Sequence, residues 1–376
     1  MLTDATRNRD FPSLADMTYL NTAAEGIPPL AVKDAVSRYM SDKRLGMDGR
    51  VAHHAALDAA KAALARAYGM SEDEVGICSC SSEAYNLACA AMRFRTGDEV
   101  VINDLEYPAG ATPWMHPDCP ADVKLWRAHD WALRVDDLVP LLGPNTRLVT
   151  MSLVSFFNGF KVALDEVIDA VRLHSPALIS VDVTQALGRI PLDLSRIDLV
   201  ISSTHKWICA THGGGLVGVP TCRAQELTVP AGGWFNLEDP FGPDRFDRMI
   251  NKPGAASFTA GMPNFPAIYA IRAALEYIEN IGVRNIYDHA QPLVEQFISE
   301  LRKLPVELIT PTPANAHAGI VAFRHEHTGR INKYLHDNGV HIMEHAGRLR
   351  VAIHGYNTSA DIDHLTRTLK EALDHA

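Results

Sequence analysis

Between positions 75 and 219 apolar segments of two different periods alternate along the chain, and this restricts the available folds more than any other feature. Residues 75–80, 99–103, 123–127, 148–154 and 178–183 are short and apolar, as buried strands require. Helical patterns at 82–94, 135–142 and 164–173 lie among them. Such a series predicts an α/β layer in which helices cover a mostly parallel sheet. Two further apolar runs, 199–203 and 215–219, stand too close together for a crossover helix, which predicts an antiparallel pair within that sheet. Upstream, a short strand at 18–20 leads into helical patterns at 30–45 and 53–68, the second stopped by Gly69.

Residues 232–261 are rich in glycine, proline and acidic side chains and show no period, so they read as a crossing segment near a domain boundary. Beyond it come helical patterns at 266–281, 286–304 and 329–338, strands at 307–310, 319–323 and 348–354, and a closing helix after Ser359. The expected organisation is an N-terminal segment over 1–30, a large domain over 31–245 and a small α+β domain over 246–376.

The chain carries 35 basic and 45 acidic residues, net −10, so a general polyanion-binding surface is not expected and nucleic acid is an unsuitable partner. Any phosphate must be held by a local site. The six cysteines, Cys78, Cys80, Cys89, Cys119, Cys209 and Cys222, lack disulfide-framework or zinc-ligand spacing and are expected to be reduced thiols. No stretch approaches the roughly 18 consecutive apolar residues of a membrane span, and the first eleven residues lack a signal-peptide core. These features predict a soluble cytoplasmic protein without a membrane partner or a bound metal.

Gly213, Gly215 and Gly218 satisfy G-x-G-x-x-G, but a strand-like segment and Pro220 follow where a dinucleotide fingerprint needs a helix. The informative stretch is 180–215, where one strand ends in Asp182, Gln185 follows, and a second strand leads into Ser203, Thr204, His205 and Lys206. Both strand ends fall on the sheet edge at which α/β folds bind ligands. A desolvated lysine there becomes a nucleophilic amine able to form a Schiff base. A carboxylate there can hold a cationic ring nitrogen. Together these are the requirements of pyridoxal phosphate chemistry, although taken alone Lys206 reads better as a surface lysine and Asp182 as a turn residue. Ser81 and Ser82, between a strand and a helix, suit an anion or a simple helix cap.

This stretch, V-D-x-x-Q-A followed by S-x-H-K, resembles the class V aminotransferase family of fold-type-I pyridoxal-phosphate enzymes. Further matches are Tyr19–Ala24 (YLNTAA), Ser81 to Ala84 (SSEA), Glu106 to Ala109 (EYPA), FTAGMPN at 258–264, and Arg350 six residues before Tyr356, Asn357 and Thr358. The resemblance implies a large domain with a mostly parallel seven-stranded sheet, a smaller α+β C-terminal domain and a homodimer. It makes Lys206 the lysine that carries pyridoxal 5'-phosphate, Asp182 the partner of the ring nitrogen and Gln185 a contact of the ring oxygen. Ser203 and His205 would bind the phosphate from one side, and Ser81, Ser82 and the backbone of Glu83 from the other. Tyr107 would stack on the ring. Arg350, favoured over Arg348 by its spacing to Tyr356, would grip the carboxylate of an amino-acid substrate near Asn21 and Ala24.

Three departures shape the expected activity. The stretch 339–349 (GVHIMEHAGRL) lacks the cysteine that cysteine desulfurases carry before the Arg350 equivalent, and no cysteine follows Cys222. Met262 stands where the family commonly has a threonine that reaches the neighbouring subunit's cofactor, and Phe156 stands where desulfurases have an asparagine. The resemblance thus points to the epimerase-like and carbon–sulfur lyase branch and away from a typical cysteine desulfurase. True transamination and a non-catalytic metabolite-binding role are the alternatives.

Overall fold

The alternation of periods becomes an alternation of strands and helices in the computed structural model, which describes residues 1–375. The chain opens with α1 (Asp4–Asp10), β1 (Thr18–Tyr19), α2 (Leu30–Lys43) and α3 (Gly49–Tyr68). Then follow β2 (Val75–Cys78), α4 (Ser81–Met92), β3 (Glu99–Asn103), α5 (Pro108–Met115), β4 (Asp122–Trp126), α6 (Val135–Leu138), β5 (Thr146–Ser152), α7 (Leu164–His174) and β6 (Leu178–Asp182). Strands β7 (Leu199–Ser203) and β8 (Gly215–Gly218) complete a seven-stranded sheet of order β2-β8-β7-β6-β5-β3-β4. Only β8 runs against its neighbours β2 and β7, while the remaining pairs are parallel. The antiparallel pair expected from the short 203–215 connection is therefore β7–β8, and Gly215 and Gly218 lie within a strand.

The strands are buried on both faces, as their continuous apolar runs require: Val100, Val101, Val149, Met151, Ile179, Val181 and Val200 are fully covered. Each such side chain stabilises the fold by about 1.5–3 kcal/mol through the apolar surface it removes from water. One covering layer is α2 and α3 against α8 (Phe265–Ile281), with α8 starting at an Asn264 cap that accepts from the Ala267 amide. The segment 232–261 contains no strand or helix beyond a 3-10 turn at Gly254–Phe258, in keeping with its lack of period.

After α8 come α9 (Val283–Leu301), β9 (Glu307–Leu308), β10 (Ile320–Arg324), α10 (Thr328–Asp337), β11 (Val340–His341), β12 (Met343–His345), β13 (Arg348–Ala352) and α11 (Ser359–Asp374). An antiparallel sheet of order β12-β13-β10-β9 packs its apolar face with α9 and α11 around Phe297, Phe323, Leu349, Val351 and Leu365. Two short pairings tie the N-terminus to this unit: β1 with β11, and Asn21 with Ala352.

Some elements leave weak traces in the sequence. Helix α1 is polar and buries none of its side chains, so it has no apolar period, and its start is set by a Thr3–Thr6 capping box. Helix α5 contains Pro108, Gly110 and Pro113, a turn-like composition, yet Pro108 sits in the first turn, where a missing N–H costs nothing. Strand β12 exists only because β13 pairs with it, Met343 opposite Arg350 and His345 opposite Arg348.

Candidate functional site

Strands β5, β6 and β7 end in Ser152, Asp182 and Ser203, so three polar side chains emerge at one edge of an otherwise apolar sheet. The loops beyond them, the N-terminus of α4 and strand β13 enclose a cavity of 480 Å³. Lys206, Asp182, Gln185, Ser203, His205, Ser81, Ser82, Tyr107, Ala24 and Arg350 all line it.

Asp182 is held by an amide and a hydroxyl. The Thr184 N–H donates to Oδ1 at 2.6 Å and Tyr85 Oη donates to Oδ2 at 3.0 Å. Burial pushes its carboxyl pKa up, opposed by the Thr184 and Tyr85 hydrogen bonds and by Lys206. A carboxylate whose charge is disfavoured in this way is set to receive a cation.

Lys206 follows β7 by three residues, and its Nζ lies 5.0 Å from the centroid of the Tyr107 ring. Burial lowers its pKa to about 8, with Asp182 resisting and Arg350 adding to the shift. Part of the population is therefore a neutral amine near physiological pH. In the cofactor-free chain the rate of covalent reaction with an aldehyde should rise with pH through about 8, since only the unprotonated amine attacks. Stopped-flow absorbance of pyridoxal phosphate mixed with the protein measures this, and a midpoint near the ordinary lysine value would contradict it.

The far wall suits a phosphate. Ser203 Oγ is buried without a hydrogen-bond partner. The ring of His205 is kept neutral, its pKa pushed down to about 4 by burial and then by Lys206 and His212. Opposite them, Ser81 and Ser82 form the first turn of α4, where backbone N–H groups have no helical partner. An orphaned hydroxyl, an imidazole and a helix N-terminus line the same cavity as the carboxylate–lysine pair. The residues present therefore fit a phosphorylated cationic ring.

Arg350 reaches the cavity from β13. It is 3% exposed, its NH1 donates to the Phe156 carbonyl at 2.9 Å, and its Nε is buried without a partner. Burial, then Arg348, lowers its pKa to about 10, which leaves it cationic at neutral pH. Arg348 turns elsewhere: its guanidinium lies 3.9 Å over the Phe157 ring and donates to the Phe157 and His345 carbonyls. The structure thus gives different partners to two arginines that stand two apart on one strand.

Two expected site residues, Asn21 and Glu83, lie off the cavity wall, and a third, Gln185, lines it with its amide already engaged. Asn21 lies off the cavity wall, its backbone paired with Ala352 and its Oδ1 buried without a partner, because bridging to β13 uses its main chain. The Glu83 carboxylate folds back to the Ser79 amide and hydroxyl at 2.6 and 2.5 Å, and its own N–H is 3.4 Å from Cys80 Sγ. Gln185 faces the cavity with its amide engaged at both ends, donating to the Ala23 carbonyl and accepting from Trp207 Nε1.

Sequence reasoning missed several residues. Tyr85 stands one helical turn after Ser81, so the helical period would have found it; Thr184 caps Asp182 two residues on, the spacing of an Asx turn. Glu106 accepts from the amides of Tyr107 and Ser152, from Ser152 Oγ and from Asn103. Burial, then the Asp182 charge, raises its pKa to about 7. Since folding then favours the protonated acid, stability should fall as pH rises from 4.5 to about 7, and Glu106→Gln should flatten that slope. Denaturant unfolding of both proteins across this range is the measurement, and parallel slopes would count against it. The Phe156 ring stands edge-on to Tyr107 at 4.9 Å, and Met343 and His345 of β12 complete the entrance.

The architecture is shared with solved structures. The apo cysteine desulfurase from Thermococcus onnurineus NA1 superposes with a TM-score of 0.90 at 20% identity, covering 100% of this chain and 99% of that one. The cystine C–S lyase C-DES, solved with its reaction product cysteine persulfide, gives 0.87 at 21% identity over 96% and 98%. These likenesses define the class by fold: a mixed seven-stranded sheet joined to a smaller antiparallel-sheet domain. The aminotransferase class-V model matches residues 18–365, and the chain belongs to that family. Among its relatives, the probable cysteine desulfurase of Methanothermobacter thermautotrophicus is 28% identical over 396 residues, 96% of each protein.

These relatives correct one expectation. The chain was expected to stand apart from typical cysteine desulfurases, yet proteins named probable cysteine desulfurase match it along nearly its whole length. The expectation weighed three local departures, the missing cysteine in 339–349, Met262 and Phe156, whereas the similarity is distributed along the chain.

Proposed function

We propose that this protein is a pyridoxal-5'-phosphate-dependent lyase that cleaves the carbon–sulfur bond of cysteine or a cysteine-derived amino acid. The observation that carries the reading is the convergence of Lys206, Asp182, the Ser203–His205 wall and Arg350 on one cavity. A neighbouring structure supports the cofactor: a C-DES mutant has been solved with glycine covalently linked to its pyridoxal phosphate.

Lys206 carries the cofactor, Asp182 holds a proton on its ring nitrogen, and Ser203, His205, Ser81, Ser82 and the first amides of α4 hold its phosphate. When bound, the cofactor supplies an electron sink for the pair left behind as the α-proton departs. Lys206 Nζ takes that proton, a task suited to an amine with a lowered pKa. The Arg350 guanidinium holds the substrate carboxylate so that the Cα–H bond faces the lysine, and Tyr107, braced edge-on by Phe156, stacks on the cofactor ring. The cofactor falls within 31–245 and the carboxylate clamp within 246–376, with residues 1–30 packed across both.

Arg350→Ala should raise KM about 10- to 100-fold, the loss of one charged hydrogen-bonding partner at about 1.5–3 kcal/mol. Initial rates over a range of substrate concentration test this, and an unchanged KM would remove Arg350 from the substrate site.

To test the reaction, the purified holoenzyme is incubated with L-cysteine, L-cystine and S-substituted cysteines while sulfide, persulfide, pyruvate, ammonia and alanine are measured. Sulfur release with either pyruvate and ammonia or alanine supports carbon–sulfur cleavage. A keto acid formed without sulfur release, with conversion to pyridoxamine phosphate, or loss of chirality alone, overturns it.

A homodimer accords with the exposed apolar residues Met47, Val51, Phe241, Phe246, Met249 and Met262, which a second copy of the chain would cover. Light scattering during size-exclusion chromatography reads the state directly. Among the described residues no helix is long and apolar enough to cross a membrane. Six free cysteines suit a reducing compartment, and we place the protein in the cytoplasm.

A further inference from the structure

At the mouth of the cavity three chain segments bring together groups that the proposed chemistry uses only in part. Glu25 lies in the turn after Ala24, His205 precedes Lys206, and His212 sits in the turn before β8. Two imidazole nitrogens and one carboxylate oxygen, one from each residue, lie within 4.8 Å of one another. His212 Nε2 is 3.2 Å from Glu25 Oε2, and its ring stacks on that of His205 with centroids 4.3 Å apart.

The surrounding backbone fixes two of the three. The Gly26 N–H donates to the His205 carbonyl at 2.7 Å, and a Cβ on Gly26 would collide with the Lys206 carbonyl oxygen, so only glycine allows the two segments this close. The Glu25 amide donates to Asn21, and Tyr19 Oη donates to the Glu25 carbonyl at 2.6 Å. His212 is exposed, which leaves its ring free to turn from the stack and aim a nitrogen at a shared ion.

We propose that Glu25, His205 and His212 form a Zn²⁺ site in which the ion and the cofactor phosphate share His205. Two imidazoles and a carboxylate form a three-ligand zinc set that leaves a fourth position for water. Imidazole ligands favour zinc over magnesium or calcium, which take oxygen shells. Glu25 supplies the negative charge, while Lys206 beyond His205 opposes the ion. The shared-ligand clause rests on the proposed role of His205 toward the phosphate, and it makes zinc an antagonist of cofactor loading.

The test titrates Zn²⁺ by calorimetry, and Co²⁺ by its visible ligand-field absorption, into the full chain before and after cofactor removal. The wild type is compared with Glu25→Gln and His212→Ala, whose thermal unfolding is checked alongside. One ion per chain is expected in the cofactor-free protein, with affinity about tenfold or more weaker in each folded variant. Bound pyridoxal phosphate should weaken the wild-type affinity by a similar factor. Absence of one-to-one binding, or equal affinity in wild type and both variants, overturns the site. Equal affinity with and without cofactor overturns the sharing of His205. Neither result bears on carbon–sulfur cleavage, which is read from products.

Discussion

Replacing Lys206 by alanine is expected to abolish covalent attachment of the cofactor and to lower the rate of substrate turnover by about 10³-fold or more. Two functions are lost at once. The variant has no amine to form the bond, and it has no base at the position from which the α-proton is taken, a contribution of about 10²–10⁴ by itself. The groups proposed to hold the phosphate are untouched, since Ser203 Oγ and the first turn of α4 do not depend on the lysine side chain. The variant should therefore still bind pyridoxal phosphate reversibly. Borohydride reduction followed by peptide mapping separates the two states: the wild type should carry the label on Lys206 and the variant on no residue. A label on another lysine in the wild type, or turnover within tenfold of wild type in the variant, would remove Lys206 from its assigned role.

The second large effect is expected at Asp182, where activity and stability should move in opposite directions. In Asp182→Asn the side chain keeps its shape and can still accept from Thr184 N–H, but it no longer offers a charge to the ring nitrogen. Removing one such preorganised electrostatic partner typically costs about 10²–10³ in kcat. Burial disfavours the ionised form of Asp182 in the cofactor-free chain, the direction in which its pKa is shifted. A neutral amide there escapes that penalty, so the cofactor-free variant should unfold at the same temperature as wild type or higher. Thermal unfolding of the cofactor-free proteins and kcat of the loaded ones test the pair of effects. A destabilised variant with undiminished kcat would mean that Asp182 serves the fold and not the chemistry.

The opposed effects illustrate how unevenly the site was legible in the sequence. Asp182 and Lys206 could be found because one closes an apolar strand and the other follows an apolar strand by three residues, at the sheet's ligand-binding edge. Ser81 and Ser82 were legible for the same reason, as the junction of a strand and a helix. Tyr85 and Thr184, which hold Asp182, were not singled out, although their local spacings contained the information. Arg350 could not be separated from Arg348 on physical grounds, since residues two apart on a strand share a face. Their difference arises from the Phe156–Phe157 loop, whose two carbonyls each take one guanidinium, and nothing local to β13 encodes that loop. Glu106 appeared within a motif without a role, because its raised pKa comes from burial and from the Asp182 charge, and both require the assembled sheet.

The sequence by itself determined the alternation of strands and helices, the antiparallel turn-back of β7 and β8, and the identity of the lysine and carboxylate at the sheet edge. These follow from local period and connection length, which act between residues near one another in the chain. Only the tertiary structure decided how the two arginines of β13 divide between the Phe156 and Phe157 carbonyls, that Asn21 lies off the cavity wall, and that Glu25, His205 and His212 meet at its mouth. Each of these depends on contacts between segments far apart in sequence, where burial and neighbouring charge are products of packing and leave no periodic trace.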